Sequence, residues 1–430
     1  MKILIISKEA WRDEQNGGNV LSNIFANFDA EFAQVYCNEQ EPNNNLCSHY
    51  YQMTDKMMVN NILHKTKVGK VLDYDHPPTM TKARTESFKS STNFLSGSLK
   101  RILREIVWKL GKWDTAEIVQ FATSFHPDII FAPCYGNHYM HELTILVHNA
   151  LNVPVVSYIS DDFYTNKQFR FSPFFWLNHF ILRKNTRKVF KHYSLVYTMT
   201  EEQKKQCEKD FGANMRILCK SGVFDSKFEK NHVNEPIRFV YAGGIYLNRW
   251  KTLAKIVETM RKINYNGVKM TLDIFTNNPL TESMQSAIND GVTSRVNKVV
   301  PMVELRKIYQ ASDVAIHAEA FDIANRLAVR MSFSTKIIDC LDSGCAVMAV
   351  CDEKQAGFAY LKRNDAAICI SDLSKLEYEL QRIIETPSIL LDYQKKAFEL
   401  GRRSHLQEDI DAMLENDFKL VITDKEKLKV

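Results

Sequence analysis

The chain has 430 residues, a length that predicts two or three domains rather than one small module. Its residues are 45% hydrophobic and 25% charged, which supplies enough apolar material for sizeable cores and excludes collagen-like and largely disordered classes. The formal net charge is only +5. The nine cysteines form no C-x-x-C pair, so the sequence indicates neither a disulfide framework nor a four-cysteine zinc site and favours reduced thiols.

Short Val/Ile-rich runs alternate with amphipathic helical runs along the chain, a pattern typical of parallel sheets covered by crossover helices. The first half contains five predicted strands, Lys2–Ile6, Phe32–Cys37, Asp128–Ala132, Pro154–Ile159 and Tyr193–Tyr197. The second half contains six, Arg238–Tyr241, Met270–Phe275, Lys298–Val300, Asp313–Ala318, Cys345–Val350 and Ala367–Ile370. We therefore predict an α/β protein with two Rossmann-like, doubly wound domains that face a central cleft.

A polar stretch, Ser221–Pro236, separates the two sets of strands. We accordingly predict an N-terminal domain at 1–222, a linker at 223–236 and a second domain at 237–400. Residues 401–430 are expected to be helical, and either cover the second domain or cross back to the first. No apolar run is long enough for a membrane-spanning helix, and the run after Met1 is too short for a signal peptide, so we expect a cytoplasmic protein.

Basic residues are concentrated in two segments. Residues 81–113 hold eight Lys or Arg against two Glu, and residues 165–192 hold seven and no acid. Within them, 99–113 has the pattern of a basic amphipathic helix, and 169–191 places aromatic residues before basic ones. This mixture favours an anionic membrane surface over nucleic acid as the partner. The alternative is that the apolar faces pack on the protein's own sheet while the basic groups are solvated.

In open parallel sheets, ligands bind where the strands end. After the first predicted strand, Gly17 and Gly18 precede an apolar-periodic helix and could let backbone amides approach an anion, although a plain loop turn is the favoured interpretation of this pair alone. No G-x-G-x-x-G is present, so there is no nicotinamide fingerprint. Asp161 and Asp162 follow a later strand; as neighbours in extended backbone they point opposite ways and make a poor chelating pair.

The second domain opens with a strand that runs into Gly243 and Gly244. Arg249 and Lys251 follow, where the next helix begins. Because cations disfavour a helix N-terminus, their presence there indicates an anionic ligand between them. Solvated surface charge is the alternative for either residue alone.

A second candidate site lies at the helix that Ser334 and Thr335 begin. Both residues can present hydroxyls and backbone amides to a diphosphate, with Lys336 as the counter-charge. Asp339, one turn on, can accept hydrogen bonds from two ribose hydroxyls. The alternative is an ordinary helix cap with two exposed charges. Two further residues at the end of a predicted strand could line a sugar pocket, His317 and Glu319.

Taken together, these stretches resemble the retaining glycosyltransferases of the GT-B fold, in particular the group-one family of bacterial polysaccharide synthesis. Residues 332–344 are similar to the family's donor-binding stretch, in which an acid five residues before a Gly binds the ribose; Asp339 has that place before Gly344. Residues 241–251 are similar to the strand, Gly turn and Arg/Lys pair that hold the leaving diphosphate. Two departures are that Gly244 stands where many members have Arg, and Met331 where many have a first Glu.

The resemblance implies a retaining, metal-independent transfer of a sugar from a nucleotide-diphospho-sugar to a saccharide, and the basic segments suggest a lipid-linked acceptor at the inner face of the cell membrane. No cofactor besides the donor substrate is implied, and no nucleic acid. The expected catalytic residues are Arg249, Lys251, Asp161 and Asp162. The expected donor-binding residues are Gly17, Gly18, Gly243, Gly244, Glu319, Ser334, Thr335, Lys336 and Asp339. The alternative is a catalytically degenerate GT-B scaffold that binds a nucleotide sugar or a partner protein.

Overall fold

The structure is a computed structural model that describes residues 1–13, 16–76, 94–224 and 230–427. The strands of the first sheet are β1 (Lys2–Ser7), β2 (Glu31–Tyr36), β3 (His49–Gln52), β4 (Lys70–Asp73), β5 (Ile129–Phe131), β6 (Val155–Ile159), β7 (Tyr193–Thr198) and β8 (Met215–Ile217). Their order across the sheet is β4-β3-β2-β1-β5-β6-β7-β8, and β4 runs antiparallel to β3 while the other pairs are parallel. The helices that accompany this sheet are α1 (Asn16–Phe25), α2 (Asp55–His64), α3 (Phe94–Leu110), α4 (Ala116–Phe125), α5 (His138–Leu151), α6 (Pro173–Phe190) and α7 (Glu201–Phe211).

The second sheet consists of β9 (Ile237–Ala242), β10 (Met270–Phe275), β11 (Ser294–Asn297), β12 (Val314–Ala318), β13 (Ala346–Val350) and β14 (Ile368–Ile370). It is parallel throughout, in the order β11-β10-β9-β12-β13-β14. The helices that follow β9 in the chain are α8 (Arg249–Ile263), α9 (Glu282–Ile288), α10 (Met302–Ala311), α11 (Ile323–Val329), α12 (Lys336–Leu341), α13 (Ala356–Arg363), α14 (Leu376–Glu385), α15 (Ile389–Ser404) and α16 (Gln407–Lys427). The two doubly wound sheets confirm the predicted fold class.

Strand β1 shows why these short apolar runs become central strands. Ile3 and Ile5 belong to one buried cluster, while Leu4 and Ile6 belong to a different one. Because successive side chains of a strand point to opposite faces, a strand covered on both faces needs apolar residues at every position. The continuous run of four aliphatic residues is therefore the sequence of a strand buried between two layers.

The prediction of strands was wrong at the sheet edges. β3, β4 and β8 were not predicted, and β11 lies four residues before the predicted strand Lys298–Val300. β4 is mostly exposed, so it carries little of the hydrophobic pattern on which the prediction depends. Val299, which suggested a buried strand, is 55% exposed in a loop.

The last helix, α16, packs on the first sheet although it follows the second sheet in the chain. Phe418 is fully buried, and its ring contacts those of Phe25 and Phe131. Asp417 accepts a hydrogen bond of 2.8 Å from the hydroxyl of Tyr197 and pairs with Arg216. Part of the predicted linker, residues 225–229, lies outside the described residues.

Helices α3 and α6 pack against each other. They nevertheless expose apolar side chains that would be buried if both apolar faces packed entirely on the protein's own sheet. Their exposed fractions run from 38% to 84% at Leu99, Leu103, Ile106, Leu110, Phe169, Phe171, Phe174, Leu177, Phe180 and Ile181, which together we call the α3–α6 surface. Trp108 is buried, although it is not one of the residues that form the apolar face of the predicted amphipathic helix at 99–113. Residues 77–93, part of the first basic segment, lie outside the described residues. Within the described chain, no helix is both long and apolar enough to cross a bilayer.

Candidate active site

A cavity of about 510 Å³ lies between the two sheets, a volume typical of small-molecule sites. Its first wall comes from segments that follow β1, β6, β7 and β8, and its second wall from β12 and the segments that follow β9, β12 and β13. All of these segments leave their sheets at the carboxyl ends of the strands, which therefore face each other across the cavity. This arrangement places side chains from both halves of the chain within reach of one ligand.

Arg249 and Glu319 form a buried, two-pronged ion pair on the second wall. The Arg249 Nε donates to Glu319 Oε2 at 2.7 Å, and its Nη2 donates to Oε1 at 2.8 Å. The side chains are only 9% and 7% exposed. Burial disfavours charge on Arg249, but the hydrogen bonds with Glu319 outweigh it and raise the pKa of the guanidinium. Arg249 is thereby held as a fixed cation at the cavity.

Lys336 is the second cation of this wall, and it lies half-buried against the turn that follows β9. Its Nζ donates to the Tyr241 hydroxyl at 3.1 Å and lies 4.9 Å from the centre of the Tyr241 ring. Gly243 has a φ of +150°, which L side chains rarely adopt, and a Cβ added there would also come within 2.3 Å of the Lys336 Cε, so glycine is favoured at this position. Among the described residues, no carboxylate lies within ion-pairing distance of this Nζ.

The surroundings of Lys336 weaken its proton affinity. Burial, followed by the positive charge of Arg249, lowers the pKa of Lys336 to about 8. Its charge is therefore incompletely compensated by the protein. An anion entering the cavity would stabilise the charged form and be stabilised by it in return.

Ser334 and Thr335 also line the cavity, immediately before Lys336. Asp339 instead lines a smaller neighbouring cavity of about 260 Å³. The two cavities share Asn23, Lys220 and Ser221. The Lys220 Nζ donates to Asp339 Oδ1 at 2.5 Å, so the acid predicted to hold a ribose is paired with a lysine from the first domain in this structure.

Asp161 and Asp162 have different environments, as their opposite directions in the chain predicted. Asp161 lines the cavity and accepts a hydrogen bond of 2.9 Å from the Ser332 hydroxyl of the second domain. The Asp162 side chain has no exposed surface and pairs with Arg330 at 2.5 Å. Asp162 thus joins the two halves of the molecule and is not among the residues that line the cavity, so its catalytic role stays a prediction.

Four further predicted site residues are Lys251, Gly17, Gly18 and Gly244. Lys251 is exposed on the first turn of α8 and is not among the residues that line the cavity, so its place beside the leaving group stays a prediction. Gly17 and Gly18 belong to the first turn of α1 rather than to a loop before it. Gly244 is not among the lining residues, and a Cβ there would meet the Tyr246 ring at 2.3 Å.

Gln355 is a site residue that the sequence analysis missed. It lies between β13 and α13, it is 3% exposed, and it lines the cavity beside His317 and Gly357. Its position after a parallel strand was the available signal, but the residue type gave no reason to prefer it over other polar residues in that loop. Burial lowers the pKa of the His317 imidazole to about 4, so the ring is neutral near pH 7.

No protein-family model matches this sequence, and a comparison with curated proteins gives no match. Solved structures do match its fold. A sucrose-phosphate synthase from Thermosynechococcus elongatus gives a TM-score of 0.63 at 11% identity, covering 98% of this chain and 99% of that one. HepE from Anabaena in complex with UDP and glucose gives 0.59 at 12% identity, covering 97% and 99%. A trehalose-6-phosphate structure from E. coli, bound with UDP-2-fluoro glucose, gives 0.59 at 9%, again covering 97% and 99%. The chain therefore has the GT-B fold, as its sequence predicted.

Proposed function

We propose that this protein is a glycosyltransferase that moves a sugar from a nucleotide-diphospho-sugar to a saccharide acceptor. One observation carries the proposal: Lys336 is half-buried at the cavity beside Arg249, with no carboxylate in the described chain within ion-pairing distance of its Nζ. A partly desolvated cation that is incompletely compensated costs free energy that an anionic ligand would recover. A diphosphate bridging two parts of a substrate fits this need in a GT-B cleft.

The remaining contacts divide the donor into parts. Lys336, Arg249 and the loop at Ser334 and Thr335 would hold the diphosphate. The ribose would take the Lys220 position on Asp339, with the base in the smaller cavity. As the bond from the anomeric carbon to the diphosphate oxygen breaks, negative charge grows on the diphosphate, where fixed cations stabilise it.

We further propose that the transfer is retaining and independent of metal ions. The two fixed cations support metal independence, because they supply the charge that a divalent ion would otherwise bring to the diphosphate. The retaining outcome follows from the resemblance of residues 332–344 to the group-one family. Proton NMR of the product's anomeric centre tests the stereochemistry, and unchanged turnover in excess EDTA tests the metal independence.

A panel of nucleoside diphosphates and their sugar conjugates, followed by thermal denaturation, tests the function itself. UDP-sugars come first, because two of the matching structures are described with UDP or UDP-2-fluoro glucose. A ligand at about 100 times its dissociation constant adds about 2.7 kcal/mol to the free energy of unfolding, so a true donor raises the melting temperature. Absence of any such rise would contradict the proposal. Binding without hydrolysis or transfer would favour the degenerate scaffold instead.

We also propose that the α3–α6 surface docks on an anionic membrane, where a lipid-linked acceptor would enter the cleft during surface polysaccharide synthesis. Ten large apolar side chains are exposed there, and the segment 165–192 that supplies six of them has seven basic residues and no acid. The two basic segments also converge: burial, followed by the charge of Arg101, lowers the pKa of Arg170. Apolar groups rimmed by cations match the boundary of an anionic bilayer.

The position of this surface relative to the cleft supports the same proposal. Ser160 and Asp161 line the cavity, and the chain then runs within ten residues to the exposed rings of Phe169 and Phe171. Arg330 of the second domain donates to the carbonyl of Lys167 in this segment. A protein seated on the membrane by these rings would hold the cleft close to lipid headgroups on the cytoplasmic face.

Sedimentation with vesicles tests the membrane proposal. We expect co-sedimentation with vesicles of phosphatidylglycerol and phosphatidylcholine at low salt, and less with phosphatidylcholine alone. Changing Phe171→Asp should weaken binding roughly tenfold or more, because a buried ring contributes about 1.5–3 kcal/mol. Tyr265→Asp is the matched control, since Tyr265 is 88% exposed but belongs to the second domain. Equal loss in both variants, or equal binding to both lipids, would refute the proposal.

A further inference from the structure

Gln355 lines the larger cavity and holds an unpaired hydrogen-bonding group at its wall. Both its Oε1 and its Nε2 are buried, and neither has a hydrogen-bond partner. The residue is 3% exposed and lines the larger cavity. Leaving a buried amide unpaired costs free energy, so the side chain is unfavourably placed until a ligand pairs with it.

The backbone around Gln355 offers further hydrogen-bond donors. Gln355 caps the N-terminus of α13, but its side chain makes no hydrogen bond to that helix. The amide of Ala356 donates to the carbonyl of Arg330, whereas Gly357, the next residue, lines the cavity. An uncapped first turn leaves amide groups available to a ligand. Gln355 and Gly357 therefore both line the cavity at the start of this helix.

This group lies beside the cations that would hold the diphosphate. A Cβ built on Gly357 would lie 2.6 Å from the Cδ1 of Ile337, the residue after Lys336, and 3.8 Å from the Nε2 of His317. His317 is two residues before Glu319, the partner of Arg249. A group attached to a diphosphate on Lys336 and Arg249 can therefore reach the Gln355 side chain from within the cavity, and it would pair with the amide once that side chain turns its buried end toward the ligand.

The chemistry of this corner fits hydroxyl groups. The amide of Gln355 can both donate and accept a hydrogen bond, and the His317 ring is neutral near pH 7. Two vicinal sugar hydroxyls can satisfy an amide of this kind in one arrangement and not in its epimer. The phosphates, by contrast, have their own cations nearby.

We propose that Gln355 recognises the transferred sugar of the donor by hydrogen bonds to its hydroxyl groups, and so determines which sugar is accepted. This inference rests on the proposed function. It assigns the sugar end of the donor to the corner formed by Gln355, His317 and the first turn of α13. It also separates this corner from the diphosphate contacts at Lys336 and Arg249.

The test compares Gln355→Leu with the wild type, using UDP, UDP-glucose and UDP-galactose, or the corresponding set if the thermal panel selects another base. We expect the affinity for the nucleoside diphosphate to stay within about twofold, while kcat/KM for the better sugar falls roughly tenfold, as for one lost hydrogen bond. The preference between the two epimers should shrink by a similar factor. The melting temperature of the free variant should not fall, because an unpaired buried amide has been removed.

The control is Gln381→Leu, the same substitution at an exposed position of α14, which should change none of these quantities. A wild type that binds no nucleotide sugar refutes the proposed function, and this inference with it. A wild type that turns over donor, together with an unchanged epimer preference in Gln355→Leu, overturns only this inference. Equal weakening of nucleoside diphosphate and nucleotide sugar, with a lower melting temperature, also overturns it, because Gln355 would then be structural.

Discussion

The two walls of the cavity differ in how completely their polar groups are organised before any ligand binds. The second-domain wall holds Arg249 and Glu319 in a buried, two-pronged pair and Lys336 against Tyr241. The first-domain wall is largely apolar, and its charged residues are Asp161 and Lys220, which hydrogen-bond across to the second domain. The difference teaches that one wall is built for a ligand of fixed charge, whereas the other can adapt to its ligand by exchanging partners.

The largest expected effect tests whether the second-domain wall is organised by its buried pair of Arg249 and Glu319. Changing Glu319→Ala leaves the Arg249 guanidinium buried without its partner, and we expect a loss of about 3–5 kcal/mol in the free energy of unfolding. Urea denaturation of the two proteins measures it. Glu258→Ala on the same helix as Arg249 removes an exposed pair with Lys255 and should stay within about 0.5 kcal/mol. A similar small loss in both variants would show that the wall is not organised by this pair.

The next effect concerns activity. Lys336→Ala should lower kcat/KM by about 10²–10³, the scale of one lost charge-stabilising group, without lowering the melting temperature. Lys251→Ala is the matched control, because this exposed lysine lies near the start of the same wall but outside the cavity. Initial rates with the selected donor measure both. Equal losses in the two variants would return Lys251 to the site that the sequence predicted.

The smallest expected effect is a pH dependence of the affinity for the nucleotide sugar, which tests whether Lys336 supplies the charge of the second-domain wall. The pKa of Lys336 is lowered from 10.5 to about 8, so its charge is present below pH 8 and disappears as the pH rises through that value. If only the charged form of Lys336 binds the diphosphate, the affinity for the nucleotide sugar should fall roughly tenfold between pH 7 and pH 9. Calorimetric titration at several pH values measures it. Lys336→Arg should bind with little change over that range, because an arginine stays charged; a parallel decline there would assign the titration to another group.

The sequence predicted the parts of this molecule that depend on local pattern. Continuous apolar runs gave the central strands, and the rule that ligands bind where strands end led to Glu319 and Lys336. The sequence could not separate Arg249 from Lys251, because a helix turns by about 100° per residue and the direction of its buried face is set by the neighbouring sheet. Only the fold shows that Arg249 points inward to Glu319 while Lys251 points to solvent.

Two other features depended on packing that periodicity does not record. In α3, the stripe of Leu99, Leu103, Ile106 and Leu110 predicted a face, but whether that face is covered depends on elements elsewhere in the chain. Gln355 is an ordinary polar loop residue in the sequence, and it becomes notable only because the fold buries both ends of its amide without a partner. In both cases the packing of the rest of the chain decides the exposure: it leaves the apolar face of α3 exposed and buries the amide of Gln355.

The return of α16 to the first sheet has a practical consequence for dissecting the protein. A fragment that stops at residue 222 would leave Phe25, Phe28 and Phe131 without the ring of Phe418 that covers them. It would also leave the hydroxyl of Tyr197 without Asp417. Such a fragment would expose a contiguous aromatic surface, and we expect it to aggregate. Adding residues 407–424 as a separate peptide should cover that surface and restore the solubility of the fragment.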